Sequence, residues 1–453
     1  MSRRRTLTGT LLSTTAALAL VAGASPALAH SPQPSTERDI ARAQVAAGVP
    51  VPVFASPNVE LVAAFPETLG ISGVFGISSP HFYMSTTDSI SAFNVRNPSL
   101  PVLTDTIVIA NFENESMTYG ERVINGKLRK FILVGIDLVK ASPTEEPQHV
   151  NVGGGEMIII DVTDPNDIKQ VGRVSDVPNS THTVACAKET ACRYAYTAGS
   201  RGKYSIIDLT NLSAPKVLKT LRSPASRENE LFVRGAGHKW NFDNAGYGLH
   251  TGSGGTAIFD VVDPKNPKVV QATNFQGTAP MWNDFIHHNT MRPNASRFRA
   301  FSPPSVANGN VALITEEDYF NDGEEVLCEE AGTIQSWYIP NLNGAAYRSN
   351  NPNLDPDKGA IRPLDMFNPV TEQGQPVGAF CSAHWFDYHS SGILAQGFYQ
   401  GGTQFIDVRD PRNLKSFGFF RSAATETWDA YWVPQRDSAG RSTGRQTNLV
   451  YAV

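Results

Sequence analysis

One short pattern recurs along the chain and restricts its fold more than any other feature. Each copy is a β-branched run that ends in Asp, and an Asp-Pro or similar pair then starts a tight turn into a second strand. Pro presets φ for such a turn, and Asp caps its backbone. The clear copies are GEMIIIDVTDPNDIKQV (155–171), KYSIIDLTNLSAPKVL (203–218), GTAIFDVVDPKNPKVV (255–270) and GTQFIDVRDPRNLKSF (402–417), with a weaker copy SISAFNVRNPSLPVL (89–103).

Two further short apolar strands precede each copy, as in HTVACAKETACRYAYTAG (182–199). Four antiparallel strands per unit, repeating at about 50 residues, are typical of a β-propeller. The chain therefore predicts an all-β, seven-bladed propeller whose last blade is incomplete at the C-terminus. The first six blades are expected at 70–108, 111–174, 181–221, 236–274, 285–367 and 382–421, and a seventh begins at Trp428. The segment NVELVAAF (58–65) is expected to close the ring as the outermost strand of that seventh blade.

The copies resemble the LVIVD repeat, whose third-strand consensus MIIIDVTDP and TAIFDVVDP follow closely. The resemblance covers roughly residues 70–421, and the unit around GTIQSWYIP (332–340) departs from it. It implies a propeller and says little about activity, because propellers host hydrolases, oxidases, lectins and scaffolds.

The N-terminus predicts export. Arg3, Arg4 and Arg5 precede an uncharged run, and Ala27-Leu28-Ala29 offers a cleavage site, so residues 1–29 are interpreted as a signal peptide, with the twin-arginine route as one option. Residues 30–57 are expected to be a linker with a short helix at 37–47, and residues 58–453 the propeller. The net charge of −5 falls to −8 when the three arginines are removed, which argues against nucleic acid as a partner. No later apolar run is long enough to span a membrane.

The chain has four cysteines, an even number that in an exported protein favours two disulfides over a metal site. Cys186 and Cys192 fall at the end of one strand and the start of the next, so their bridge would staple one hairpin. Cys328 and Cys381 are expected to bridge and fix an acidic loop over the face where the histidines lie.

Superposing the inner strands of the repeat brings four histidines into one register. Inner strands converge on the central channel of a propeller, so one register becomes one ring of side chains. The histidines are His182, His238, His288 and His384, and in the other units the register holds Glu115, Asp429 and, less clearly, Ser72. Neutral imidazoles that face a shared divalent cation avoid the repulsion of protonated ones, so the ring, with Glu115 and Asp429, is a candidate site for one transition metal such as Cu, Fe, Mn or Zn. The plainer interpretation is a water-filled channel that tolerates polar residues.

Adjacent strand residues face opposite sides, so His288 is assigned to the channel and His287 to packing, with the reverse as the alternative. His250 on a second strand and His389 in a loop are interpreted as structural. Beside His288, Glu316 or Glu317 could complete a metal shell or serve as general base, with more weight on Glu316. The alternative for both is a solvated acidic loop.

Two functional classes follow. In the first, the metal site is catalytic and the protein is an oxidase or hydrolase acting on a small substrate. In the second, the protein is a non-catalytic extracellular scaffold whose outer faces bind a protein or a polysaccharide. A serine-histidine-acid triad is not supported because the chain has no Gly-x-Ser-x-Gly elbow. The runs GGG (153–155) and GSGG (252–255) precede strands, not helices, so phosphate binding is not indicated either.

Overall fold

The structure is a computed structural model that describes residues 53–65, 70–109, 114–136, 155–178, 181–199, 202–222, 237–253, 255–273, 286–318, 320–321, 324–325, 332–344, 361–370, 381–423 and 425–453. The regular secondary structure of these ranges is almost entirely β-strand. The helical elements that they contain in full are three short 3-10 turns, Glu189–Ala191, Ala295–Arg297 and Val306–Asn308. No helix within these ranges is long and apolar enough to span a membrane. The predicted signal peptide and the predicted helix at 37–47 lie outside them.

Six four-stranded antiparallel blades follow one another along the chain, after the short strand β1 (Val53–Ala55). Blade one consists of β2 (Ser72–Phe75), β3 (His81–Ser85), β4 (Ser89–Asn94) and β5 (Val102–Val108). Blade two consists of β6 (Thr118–Ile124), β7 (Lys127–Ile136), β8 (Glu156–Asp161) and β9 (Lys169–Val174). Blade three consists of β10 (Thr183–Cys186), β11 (Tyr194–Ala198), β12 (Lys203–Asp208) and β13 (Lys216–Arg222).

Blade four consists of β14 (Gly237–Phe242), β15 (Tyr247–Gly252), β16 (Gly255–Asp260) and β17 (Lys268–Ala272). Blade five consists of β18 (Ile286–Met291), β19 (Val311–Glu317), β22 (Ile334–Tyr338) and β23 (Arg362–Phe367), with the small ribbon β20 (Phe320–Asn321) and β21 (Glu324–Glu325) inserted after β19. Blade six consists of β24 (Phe386–Tyr388), β25 (Ile393–Gly397), β26 (Thr403–Asp407) and β27 (Lys415–Ser422). The predicted blade limits agree closely with these bounds.

A two-stranded sheet, β28 (Ala430–Arg436) and β29 (Ser442–Ala452), follows the sixth blade. It packs between blades six and one. Ala430 and Trp432 contact Ile393 and Ala395 of blade six, and Tyr431 packs in a cluster with three apolar side chains of blade one, Phe82, Met84 and Val95. The predicted count of seven blades is therefore not supported, because the described residues form six four-stranded blades and a two-strand sheet.

The N-terminal strand closes a different blade from the one predicted. Strand β1 pairs antiparallel with β27 and makes blade six five-stranded, with Phe54 opposite Arg421. Residues 58–65 are not a strand, and most of them are exposed. The expectation that they form the outer strand of the seventh unit was wrong. The alternating apolar pattern of this segment resembles a strand, but the edge that β27 offers is filled by the residues just before it.

The Asp of each repeat copy caps its turn as predicted. Asp161 Oδ1 accepts the backbone N–H of Thr163 at 2.8 Å, and Asp208 Oδ1 accepts that of Thr210 at 2.7 Å. Asp260 and Asp407 accept the N–H two residues on at 3.0 Å each. This side-chain bond replaces the ladder bond that the chain gives up as it leaves the third strand.

The proline of the turn has a second role, which is to join neighbouring blades. Thr104 Oγ1 of blade one donates to the Pro165 carbonyl of blade two at 2.8 Å. The same donation joins Tyr196 of blade three to Pro264 of blade four, and the Ser336 hydroxyl of blade five to the Pro411 carbonyl of blade six. Tyr451 of β29 donates to Pro98 of blade one at 2.6 Å, so the two-stranded sheet takes part in the same contact. The repeat therefore encodes both the turn and an attachment point for the preceding unit.

One predicted disulfide is present: Cys186 and Cys192 are bonded across the β10–β11 hairpin. Cys381 is also disulfide-bonded. Its predicted partner Cys328 lies outside the described residues, so that pairing stays a prediction.

Candidate metal centre

The predicted register brings its polar side chains to the channel end of consecutive inner strands. His238 and His288 lie within β14 and β18, and His182 and His384 come directly before or close to β10 and β24. Glu115 precedes β6 in blade two, so it stands beside the four histidines in the order of the blades. All five side chains are buried, with exposed fractions of at most 5%.

Glu115 is the centre of the cluster. Its Oε2 lies 2.8 Å from His182 Nε2, 3.0 Å from His288 Nε2 and 3.4 Å from His238 Nε2. Its Oε1 lies 3.3 Å from His384 Nε2. A single carboxylate from blade two therefore contacts the four imidazoles of blades three to six.

The imidazoles follow one another around the channel in blade order. Ring centroids are 4.7 Å apart between His182 and His238, 4.1 Å between His238 and His288, and 4.0 Å between His288 and His384. Burial lowers the pKa of His288 well below its usual value, and His384 and His238 lower it further by repulsion. Burial also acts to lower the pKa of His384, but Glu115 and Asp429 outweigh it and hold that pKa well above its usual value. These pKa directions favour a neutral imidazole at His288 and a protonated one at His384, between the carboxylates of Glu115 and Asp429.

Asp429 lies on the Nδ1 side of the His384 ring, and Glu115 lies on the Nε2 side. Its Oδ1 lies 3.3 Å from His384 Nδ1, which also hydrogen-bonds to the Trp428 carbonyl at 2.7 Å, and its Oδ2 accepts from the Tyr431 hydroxyl. Because Nδ1 is turned toward these acceptors, Nε2 is the atom that faces Glu115 and the other rings. The structure therefore places Asp429 against the far nitrogen of a candidate ligand, whereas the sequence predicted it as a ligand in the ring.

Of the two acidic residues on β19, Glu317 faces the cluster. Its Oε2 lies 3.8 Å from His288 Nε2, and its Oε1 accepts from the Tyr399 hydroxyl. Glu316 lies opposite His287 in the β18–β19 ladder, and its Oε2 is 3.5 Å from Gln335 Nε2. The alternation of strand side chains separates the two carboxylates, and Glu317, not Glu316, is the one that lies beside His288.

Three described histidines that were interpreted as structural, His287, His250 and His389, have contacts of the expected kind. His287 Nδ1 is 3.0 Å from Thr256 Oγ1, and its ring packs edge-on against Trp337. His250 stacks on Trp240 with ring centroids 4.3 Å apart, and His389 bonds to Ser391. Ser72, the least clear member of the register, bonds to Ser85 and Asn114.

Two residues of the site were missed by the sequence reasoning. Lys239 follows His238, and strict alternation would turn it away, but a register shift between Gly237 and Lys239 lets its Nζ reach Ser116 Oγ at 2.9 Å. Burial lowers the pKa of Lys239 well below its usual value, against the opposing effect of Asp429 and Glu115. Tyr399 lies in the β25–β26 connection, outside the inner-strand register. No repeat-based signal marks either residue.

The donor set fits a transition metal. Two groups have ligand atoms within 4.8 Å of one another, Glu115 with His238 and His288, and Glu317 with His288 and His384. Adjacent ligands of a tetrahedral ion at its usual 2.0–2.1 Å are about 3.3 Å apart, close to the Glu115 contacts of His238, His288 and His384. Imidazole with one or two carboxylates suits zinc, copper, iron or nickel more than calcium or magnesium.

No model of a known protein family matches the chain, and no curated protein matches it in sequence. Among solved structures, a protein from Lactobacillus plantarum is similar, with 11% identity and a TM-score of 0.48, over 77% of this chain and 83% of that one. Similarity at this level leaves the function open.

Proposed function

We propose that the protein is an exported LVIVD-repeat propeller that binds one divalent transition metal in its central channel. His238, His288 and His384 would supply imidazole nitrogens, and Glu115 and Glu317 would supply carboxylate oxygens. His182, whose Nε2 lies 2.8 Å from Glu115 Oε2, would orient that carboxylate.

The observation that carries the proposal is the convergence of four buried imidazole Nε2 atoms on one carboxylate. Without a cation, such a cluster must share very few protons among many basic atoms in a region of low dielectric, which is costly. A divalent ion would stabilise the two carboxylates and remove the need to protonate His384. Electrostatics therefore favours a cation at this position.

We further propose that the site is catalytic, as a metal-dependent hydrolase or oxidase of a small substrate. A bound ion would supply Lewis acidity for hydrolysis or, if it is copper, iron or manganese, a redox centre. Glu317 would act in this chemistry as a metal ligand and not as a general base, because one of its oxygens lies beside His288 and the other accepts from the Tyr399 hydroxyl. The buried positions of the ligands would keep bulk water from competing for these contacts.

The test is elemental analysis of the protein purified without chelator or affinity-tag metal. The unaltered protein is expected to hold about one equivalent of a transition metal, and the His238→Ala/His288→Ala variant none. His389→Ala, which removes a histidine outside the cluster, is the control and should keep the metal. If the unaltered protein neither holds a metal nor gains thermal stability when copper, iron, manganese or zinc is added, the proposal fails. A non-catalytic scaffold would then be the better description.

Substrate turnover separates the two functional classes. If the metal is present and its removal leaves every hydrolytic and oxidative assay unchanged, the catalytic part of the proposal fails and the metal-binding part stands.

A further inference from the structure

Tyr399 has a backbone conformation that is unusual for its residue type. Its φ is +46°, in the left-handed region, which bulky side chains rarely adopt. Two of the other three non-glycine residues with positive φ in the described ranges are asparagines, Asn125 and Asn294, which tolerate that region. The third, Phe301, is 65% exposed, whereas Tyr399 is 1% exposed. Of these four residues, Tyr399 is the one that is both aromatic and buried.

Reciprocal hydrogen bonds hold this conformation. The Tyr399 N–H donates to the Thr427 carbonyl, and the Thr427 N–H donates to the Tyr399 carbonyl, each at 2.9 Å. The Gly402 N–H donates to the same Tyr399 carbonyl at 2.9 Å. Such a backbone is energetically costly and persists only when the surroundings fix it, which is common at functional sites.

The strained backbone places the phenol at the metal centre. The Tyr399 ring packs 5.1 Å from the ring of His384 and 5.7 Å from that of Trp428. Its hydroxyl donates to Glu317 Oε1, and the other oxygen of that carboxylate, Oε2, is the one 3.8 Å from His288 Nε2. Packing alone would be satisfied by phenylalanine, so the hydroxyl contact is the part that needs an explanation.

We propose that Tyr399 is a positioning residue that makes Glu317 bind the metal through one oxygen. The phenol holds Oε1 and directs Oε2 toward His288 and His384. A carboxylate that is not held in this way can chelate a cation with both oxygens or turn away from it. Restricting Glu317 to one oxygen leaves a coordination position for a water or a substrate atom. This inference rests on the proposed metal-binding function.

The experiment uses Co²⁺ as a visible probe of coordination, with four forms of the full-length protein: unaltered, Tyr399→Phe, Glu317→Gln and the double variant. Tyr399→Phe keeps the ring and the strained backbone and removes only the hydroxyl. Tyr388→Phe is the matched control, because it removes a hydroxyl from the same blade outside the cluster. Affinity and the visible absorption of bound Co²⁺ are measured for each form.

Tyr399→Phe is expected to weaken Co²⁺ binding by about 10–100-fold. The visible band should also lose intensity, since two-oxygen chelation by Glu317 adds a sixth ligand atom to the five proposed donors. Tyr388→Phe should match the unaltered protein. In the Glu317→Gln background, removing the Tyr399 hydroxyl should have no further effect on Co²⁺ affinity or absorption. A merely structural role for the hydroxyl predicts the same loss in both backgrounds.

Two results would overturn the inference alone: a Tyr399→Phe protein with unaltered spectrum and affinity, or an effect of Tyr399→Phe that is undiminished in the Glu317→Gln background. Failure of the unaltered protein to bind Co²⁺ would instead overturn the proposed function, and this inference with it. Should Tyr399→Phe not fold, Tyr399→Asn removes the hydroxyl with a residue that accepts positive φ. Because it also removes the ring that packs on His384, its effect is judged by whether it disappears in the Glu317→Gln background.

Discussion

Glu115 and His288 are 173 residues apart in sequence, on blades two and five, yet Glu115 Oε2 lies 3.0 Å from His288 Nε2. The contact crosses the central channel, so it depends on the closure of the whole ring and not on any one blade. A side chain on one inner strand can meet several others only at the axis, which is why one carboxylate touches all four histidines.

Replacing Glu115 with Gln should reduce the affinity for a divalent transition metal by at least about 100-fold, because an anionic ligand becomes a neutral one. Glu121→Gln is the control. Glu121 is a buried carboxylate on the inner strand of the same blade, but it accepts from the hydroxyls of Ser78 and Tyr119, away from the histidines. Isothermal titration with Zn²⁺ measures both variants. Equal affinities for Glu115→Gln and the unaltered protein would show that the carboxylate is not a ligand.

Much of the candidate metal centre can be predicted from the sequence because the repeat aligns the inner strands of the blades. Once the third strands are aligned, the starts of the inner strands align too, and the positions of His182, His238, His288 and Glu115 follow. The Cys186–Cys192 bridge follows in the same way, from the hairpin that the repeat predicts.

The side-chain orientations that the sequence did not predict depend on local geometry and not on the alignment of the repeat. A shift in the ladder after Gly237 turns Lys239 toward Ser116, and a single step of alternation decides between Glu316 and Glu317. Asp429 occupies the expected position, but its carboxylate accepts from the Tyr431 hydroxyl and lies beside Nδ1 of His384, which also bonds to the Trp428 carbonyl. None of these is a property of the repeat, so a self-comparison of the sequence does not reveal them.

Acid should destabilise the protein through His81. Burial lowers the pKa of His81 to about 4, with Lys130, Arg436 and Arg96 adding to the effect. A folded-state pKa below the unfolded value of about 6.5 gives stability that is present above pH 6.5 and is lost as the pH falls toward 4. At pH 5 the loss due to this residue should be up to about 2 kcal/mol.

Urea unfolding at pH 7.5 and pH 5 checks this, with His81→Asn as the comparison. The variant retains a side-chain group that can bond to Ser79, the partner of His81 Nδ1 at 2.7 Å, but it does not titrate. Its stability should fall less than that of the unaltered protein over this pH interval. An identical fall in the two proteins would rule out the contribution of His81.

The hydrogen bond that a turn proline carbonyl accepts from the preceding blade should contribute measurably to stability at each interface. Tyr196→Phe removes the hydroxyl that donates to Pro264 and should lower the free energy of unfolding by about 1 kcal/mol, the usual net value of one hydrogen bond. Thr104→Val, at the interface of blades one and two, should cost a similar amount. Tyr194→Phe, on the same strand as Tyr196 at a less buried position, is the control. If Tyr196→Phe costs no more than Tyr194→Phe, the contact does not stabilise the ring.

The Cys186–Cys192 bridge should stabilise blade three, and it should also stabilise the contact of Cys192 with Gly120 of blade two. It closes a short loop, with a sequence separation of 6, for which loop entropy predicts about 2 kcal/mol.

Both cysteines are buried, and Cys192 lies so close to Gly120 of blade two that an added Cβ there would be 2.8 Å from its Sγ. Cys186→Ala/Cys192→Ala should therefore lower the urea midpoint, and Gly120→Ala should lower it also, because its methyl group would meet Phe131 Cε2 at 2.7 Å as well as Sγ and Cβ of Cys192 at 2.8 and 2.9 Å. Combining the two changes should cost less than the sum of their separate effects, because alanine at position 192 no longer presents a sulfur to the added methyl group. Strict additivity would mean that the cost of Gly120→Ala comes from Phe131 and not from the Cys192 sulfur.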